Sequence, residues 1–135
     1  GDPATVSMCH CLQCQKRTGS TYSVHAYFPR PAATIRGETR AHRRTGDTGC
    51  YITFHFCPVC ASTLHWDVEA MPDMVGIPVG DFADPAFPPP TTSIFVPQKH
   101  PWVVVPDGVP QNDGHSAAFL DSARAALVKR SGGGG

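Results

Sequence analysis

Apolar residues recur at every second position in several short runs of this chain, and each run is cut off by proline, glycine or a polar cluster. Between Tyr22 and Phe28, the residues Tyr22, Val24, Ala26 and Phe28 face one side while Ser23, His25 and Tyr27 face the other, the period-two pattern of a half-buried strand. Tyr51–Phe56 repeats it, with Ile52, Phe54 and Phe56 set against Tyr51, Thr53 and His55. Shorter runs at Pro3–Met8, Thr63–Trp66, Met74–Val79, Ser93–Val96 and Trp102–Val105 predict further strands, and Thr34–Arg36 and Arg40–Arg44 predict edge segments. Lys16–Ser20 reads as a polar turn closed by Gly19, Thr45–Gly49 (TGDTG) as a hairpin turn, and the proline-rich stretch Asp81–Thr92 excludes regular structure.

Only Ser116–Arg130 carries a helical period. Ser116 is placed to cap it, Leu120, Ala123, Leu127 and Val128 form its apolar stripe, and Lys129 and Arg130 meet the negative end of the helix dipole. The glycines at 132–135 predict a disordered tail. A mainly β fold with one C-terminal helix follows, and 14 Pro and 13 Gly in 135 residues favour the same turn-rich architecture.

Charge narrows the function classes. Eleven basic residues balance eleven acidic ones, so nothing in the net charge points to nucleic acid or an anionic membrane. Arg40, Arg43 and Arg44 form the one basic patch, read as an exposed strand. No run has the apolar length to cross a bilayer, and no basic segment followed by a hydrophobic one opens the sequence, which predicts a cytoplasmic chain without a signal peptide.

The candidate chemistry is in the cysteines. Cys9, Cys11 and Cys14 lie within CHCLQC, too close together for comfortable disulfides with one another, and the gap between Cys11 and Cys14 is the turn spacing that wraps a tetrahedral metal. Cys57-Pro58-Val59-Cys60, at the end of a predicted strand, is a second such knuckle. Zinc is the expected metal. Spacing alone favours a ribbon of Cys11, Cys14, Cys57 and Cys60 with Cys9 spare over a site of Cys9, Cys11 and Cys14 whose last corner is open to water or substrate. Cys50 stands roughly 20 Å from Cys57 along an extended strand and is not counted as a ligand.

CHCLQCQKRTGS (Cys9–Ser20), HFCPVC (His55–Cys60), PDMVGIPVGDFADP (Pro72–Pro85) and HPWV (His100–Val103) together resemble the glutathione-dependent formaldehyde-activating enzyme family, which includes the domain of centromere protein V. The likeness spans about residues 1–110, leaving 111–131 as a helical extension. It implies an Mss4-like β-tent of antiparallel sheets around zinc. It further implies that Cys9, Cys11 and Cys14 hold a catalytic zinc while Cys57 and Cys60 belong to a structural one. The family completes the structural site with an upstream CxC pair that this sequence does not contain, and Ala61 stands where the family has glycine. Cys57 and Cys60 are then left without metal or share one with a partner, the ribbon applies, or an upstream strand has been lost. The separate three-thiol site is preferred.

The implied activity is that of a zinc-dependent carbon–sulfur lyase of the S-(hydroxymethyl)glutathione synthase type, in which a low-molecular-weight thiol such as glutathione adds to formaldehyde. An open zinc position suits it, because zinc lowers the pKa of a bound thiol. The partners expected are a small-molecule thiol and an aldehyde, with a homodimer left open. Lys16 and Arg17 are candidates to meet substrate carboxylates, against a reading as a solvated turn. His10, between two ligands, is expected to point outward; His55 is read as structural, Trp102 and Phe56 as core, and Thr18 and Ser20 as turn bonds. The competing class is a non-catalytic zinc-stabilised module that binds a protein partner.

Overall fold

In the computed structural model, which describes residues 1–132, the alternating runs pair into one seven-stranded sheet. Its strands are β1 (Thr5–Cys9), β2 (Ser23–Pro29), β3 (Arg40–Thr45), β4 (Tyr51–Phe56), β5 (Thr63–Val68), β6 (Met71–Pro78) and β7 (Thr92–Ile94), in the spatial order β3-β4-β5-β6-β2-β1-β7. Neighbours are antiparallel except β1 and β7, which run parallel. The sheet is therefore mixed rather than wholly antiparallel. A parallel neighbour needs a long crossover, and the stretch that includes the proline-rich segment before β7 supplies it.

Period-two alternation gives the sheet two faces with separate cores. Val6, Ala26, Phe28 and Val75 are buried together on one, with Phe87 and Val79 packed against them. Tyr27, Phe54, Trp66 and Val68 lie on the other with Cys50 and Ala70, and this is the face that the C-terminal helix α2 (Ala117–Gly132) covers. α2 inserts Ala123, its one fully buried residue, with Phe119, Ala126 and Leu127 beside it. The expected stripe is thus shifted: Ala123 and Leu127 hold, but Leu120 and Val128 are exposed. Phe119 takes the inner position because it shares a helix face with Ala123, Ala126 and Leu127.

Three local expectations are corrected. Lys16–Thr18, expected in a turn, belong to a short helix, α1 (Leu12–Thr18), that also contains Cys14, although Gly19 does end it in the left-handed conformation, φ 70°. Thr34–Arg36 forms no strand. Trp102–Val105 forms none either: Val103 N donates to His100 O in a tight turn between Pro101 and Pro106, and only its valines at 103 and 105 are buried. The tail predicted to be disordered at 132–135 falls, beyond Gly132, outside the described residues. No helix among the described residues is long and apolar enough to cross a membrane.

Candidate metal centre and its cavity

β1 runs directly into the thiol cluster. Its residues Thr5, Ser7 and Cys9 pair with Tyr27, His25 and Ser23 of β2, so Cys9 projects from the same face of the sheet as His25 and Tyr27. The chain then turns, and Cys11 becomes the N-cap of α1. Its Sγ accepts a hydrogen bond from Cys14 N at 3.3 Å, doing with sulfur what serine or aspartate oxygen does at ordinary caps. The result brings the Sγ atoms of Cys9, Cys11 and Cys14 within 4.8 Å of one another. Among the described residues this is the one group of three or more such side chains able to hold a metal ion.

Hydrogen bonding among the three thiols divides their acidity. Donation from the Cys14 and Cys9 thiols, with the Cys14 amide, draws Cys11 well below the ordinary thiol range. Cys9 is pushed up for the complementary reason, since its proton is held on Cys11 and the site is buried. Cys14 is raised to about 11. A ready thiolate ringed by two further sulfurs is a soft donor set. Sulfur–zinc bonds of about 2.3 Å would need only a small contraction of this cluster, so the residues fit such an ion.

The surroundings contain groups that pattern reasoning missed. His10 does not point outward; it is fully buried, with Nε2 2.9 Å from Ser93 Oγ. The parallel partner explains this, because β7 covers the turn where β1 ends and His10 N donates to Ile94 O. Arg17 turns away from solvent. Its Nη2 donates to Ser23 Oγ at 2.9 Å, and its guanidinium lies 4.8 Å from the Trp66 ring centre and 5.2 Å from that of Phe54. Arg44, predicted only as part of an exposed strand, approaches the same Phe54 ring at 5.4 Å. Ser23 Oγ also meets His25 Nδ1 at 3.2 Å. Burial, reinforced by Arg17, lowers the His25 pKa to about 3 and keeps the ring neutral.

Cys9, Cys11 and Cys14 open onto a cavity of about 740 Å³ that reaches from β1 and α1 to α2. Arg17, His25 and Arg44 line it near the sulfurs. Lys16 is exposed and reaches only a smaller neighbouring cavity of about 350 Å³, shared with Arg17 and Arg44.

Cys57 and Cys60 do not join the first cluster. They form an exposed knuckle in which Cys57 N donates to Ser62 O and Ala61 N to Cys57 O. Ala61 adopts φ 65°, the left-handed conformation that suits glycine. Cys50 is buried and donates to Ala123 O at 3.4 Å, a packing role. His55 is structural: its Nε2 lies 3.0 Å from Asp67 Oδ2 and its ring stacks on His65. Trp102 is 69% exposed and is not core, while Phe56 is half-buried beside the smaller cavity. The Thr18 hydroxyl donates to Cys14 O at 2.9 Å and accepts from Ser20 N at 3.0 Å, so it closes the end of α1 as expected, whereas Ser20 takes part through its backbone amide and not its hydroxyl.

Fold and site together define a mainly β domain that gathers three thiols into a cluster able to hold a metal ion, at the edge of a deep cavity. The model of the glutathione-dependent formaldehyde-activating enzyme family matches residues 1–98, and the chain belongs to that family. No curated protein is significantly similar to it. The matched residues include all six cysteines, whereas α2 lies beyond them.

Proposed function

We propose that the chain is a zinc-dependent enzyme that adds a low-molecular-weight thiol such as glutathione to formaldehyde, a carbon–sulfur lyase of the S-(hydroxymethyl)glutathione synthase type. The observation that carries this reading is the convergence of Cys9, Cys11 and Cys14 on a cavity, with no fourth His, Cys, Asp or Glu among the described residues joining them. When bound by these residues, zinc with an open position lowers the pKa of an incoming thiol and holds it as a thiolate.

The chain's own groups supply the rest. The substrate sulfur forms a bond to the carbonyl carbon, the carbonyl π pair moves to oxygen, and the proton that left the thiol ends on that oxygen. His25 lines the cavity with Nδ1 engaged by Ser23, which leaves Nε2 to hydrogen-bond the carbonyl oxygen; with its pKa lowered to about 3 the ring stays neutral, so it orients the carbonyl while the proton travels through solvent. Arg17 and Arg44 give the sulfur end of the cavity a positive field that favours thiolate and alkoxide and attracts substrate carboxylates. Lys16, at the rim of the smaller cavity, is a weaker candidate for the same role.

Formation of S-(hydroxymethyl)glutathione by the zinc-loaded full chain tests the reading. Thiol-dependent turnover that is lost in Cys11→Ala is expected. Stoichiometric zinc with no rate above the spontaneous addition would overturn it in favour of a zinc-stabilised binding module.

A further inference from the structure

The cavity is far larger than formaldehyde requires, and part of its far wall, from Asn112 to Ser122, lies outside the residues that the family model matches. Its volume of about 740 Å³ falls in the range of sites that enclose a drug-sized ligand. The thiols and arginines occupy one end. Beyond them the walls include Ile52, Val68, Met71, Phe95 and Phe119, none of which can satisfy a charged group. Asp47, Asn112, His115 and Ser122 also line this end, but Asp47 and His115 engage one another, and Arg17 and Arg44 are the only arginines or lysines in the lining, so the two carboxylates of a tripeptide find cationic partners at the sulfur end alone.

The helix α2, whose first turns close the cavity, is fixed at both ends. Ser116 caps α2 by accepting from Phe119 N at 3.1 Å. Just before it, His115 Nε2 lies 3.1 Å from Asp47 Oδ1 while its ring stacks on Phe119 and meets Phe95 edge-on. At the other end, Arg130 bonds Glu69 at 2.7 Å and Gly49 O at 3.1 Å, and sits 4.0 Å over the Tyr51 ring. Phe119 is therefore held between the helix cap and the core, where it faces the space that a substrate would fill.

We infer that the segment from Asn112 to Ser122 is the substrate-selecting wall of this site, and that the site takes a thiol with an apolar alkyl or aromatic body in preference to glutathione. The inference rests on the proposed thiol chemistry for the reacting end only. Phe119 is the selecting residue and touches the body of the substrate rather than its sulfur.

Calorimetric titration of the zinc-loaded full chain with 2-phenylethanethiol, glutathione and 2-phenylethanol separates the two claims. The aromatic thiol should bind about tenfold or more tighter than glutathione. Phe119→Ala should weaken 2-phenylethanethiol and the sulfur-free 2-phenylethanol by about tenfold and leave glutathione within about twofold. Phe119→Leu, which keeps an apolar core residue, should fall between, and it decides the matter if the alanine variant does not fold. Glutathione binding as tightly as the aromatic thiol, or Phe119 variants shifting all three ligands alike, would overturn the inference. If the apolar ligands bind as described but no thiol is turned over, the enzymatic reading falls and the wall stands.

Discussion

Trp66 donates from Nε1 to the Tyr27 hydroxyl at 3.2 Å, reaching across the whole width of β6 to do so. Gly76 is what lets it pass. In the sheet, Gly76 is the register partner of Tyr27 on one side and of Trp66 on the other. A Cβ built on Gly76 would come within 3.0 Å of three indole atoms, Nε1, Cε2 and Cδ1. Trp66 in turn supports Arg17 and lines the cavity beside the thiols, so one missing side chain shapes the site from below.

Gly76→Ala should therefore displace the indole. The expected cost is about 1–3 kcal/mol in urea unfolding, the range for overpacking a filled core, with a shifted tryptophan emission and reduced turnover. Unchanged stability and emission would mean that the indole has room to spare.

Acid should weaken the fold through His25. Its pKa falls from the ordinary 6.5 to about 3 on burial, so between those values the unfolded chain holds a proton that the folded chain lacks. Stability is intact above about 6.5 and is lost as the pH drops toward 3. Going from about pH 7.5 to about pH 5.5 should cost about 1.4 kcal/mol from this group alone. Burial also lowers His10 and His65, which adds to the same trend. In metal-free protein, His25→Gln should recover about 1 kcal/mol of the difference in urea unfolding. A difference as large as that of the unmodified chain would show that His25 is not held neutral.

Ala61 occupies a left-handed conformation at the end of the CPVC knuckle, φ 65°. For alanine this costs about 1–2 kcal/mol, only partly offset by the extra chain entropy that glycine loses on folding. Ala61→Gly should raise stability by about 0.5–1 kcal/mol in urea unfolding. A loss of stability would mean that the knuckle gains more from the methyl group than it spends on strain.

The cysteines should separate cleanly by metal content. Replacing Cys9, Cys11 or Cys14 with alanine should abolish zinc at the first cluster. Cys50→Ala should leave zinc unchanged and lower stability by about 1 kcal/mol through the lost buried contact. Cys57→Ala should leave the first cluster loaded, because Cys57 and Cys60 do not converge with it. Elemental analysis of each purified variant reads the outcome, and loss of all zinc in Cys57→Ala would restore the shared ribbon.

Much of this was legible in the chain itself. The runs at Tyr22–Phe28 and Tyr51–Phe56 alternate strongly enough to fix both strand and facing, and three thiols within six consecutive residues need no tertiary knowledge to be brought together. What was not legible depends on neighbours distant in sequence. His10 is buried only because β7 returns beside it, and Arg17 leaves solvent only because β4 and β5 offer Phe54 and Trp66 beneath it. Val103 and Val105 alternate like a strand but lie between prolines that permit only a turn. Phe119 is placed by the α2 face that meets the core, and with Ser116 as a cap that face could have been found by giving it the same weight as Leu120.

The central claim is that Cys9, Cys11 and Cys14 grip a zinc ion and keep one position for a substrate sulfur. X-ray absorption at the zinc edge, on Cys57→Ala/Cys60→Ala protein before and after addition of 2-phenylethanethiol, reads this directly. Three sulfur neighbours and one oxygen or nitrogen neighbour are expected at first, and four sulfurs once the thiol is added. Four sulfurs before any thiol is added, or a coordination shell that the thiol leaves unchanged, would contradict that claim.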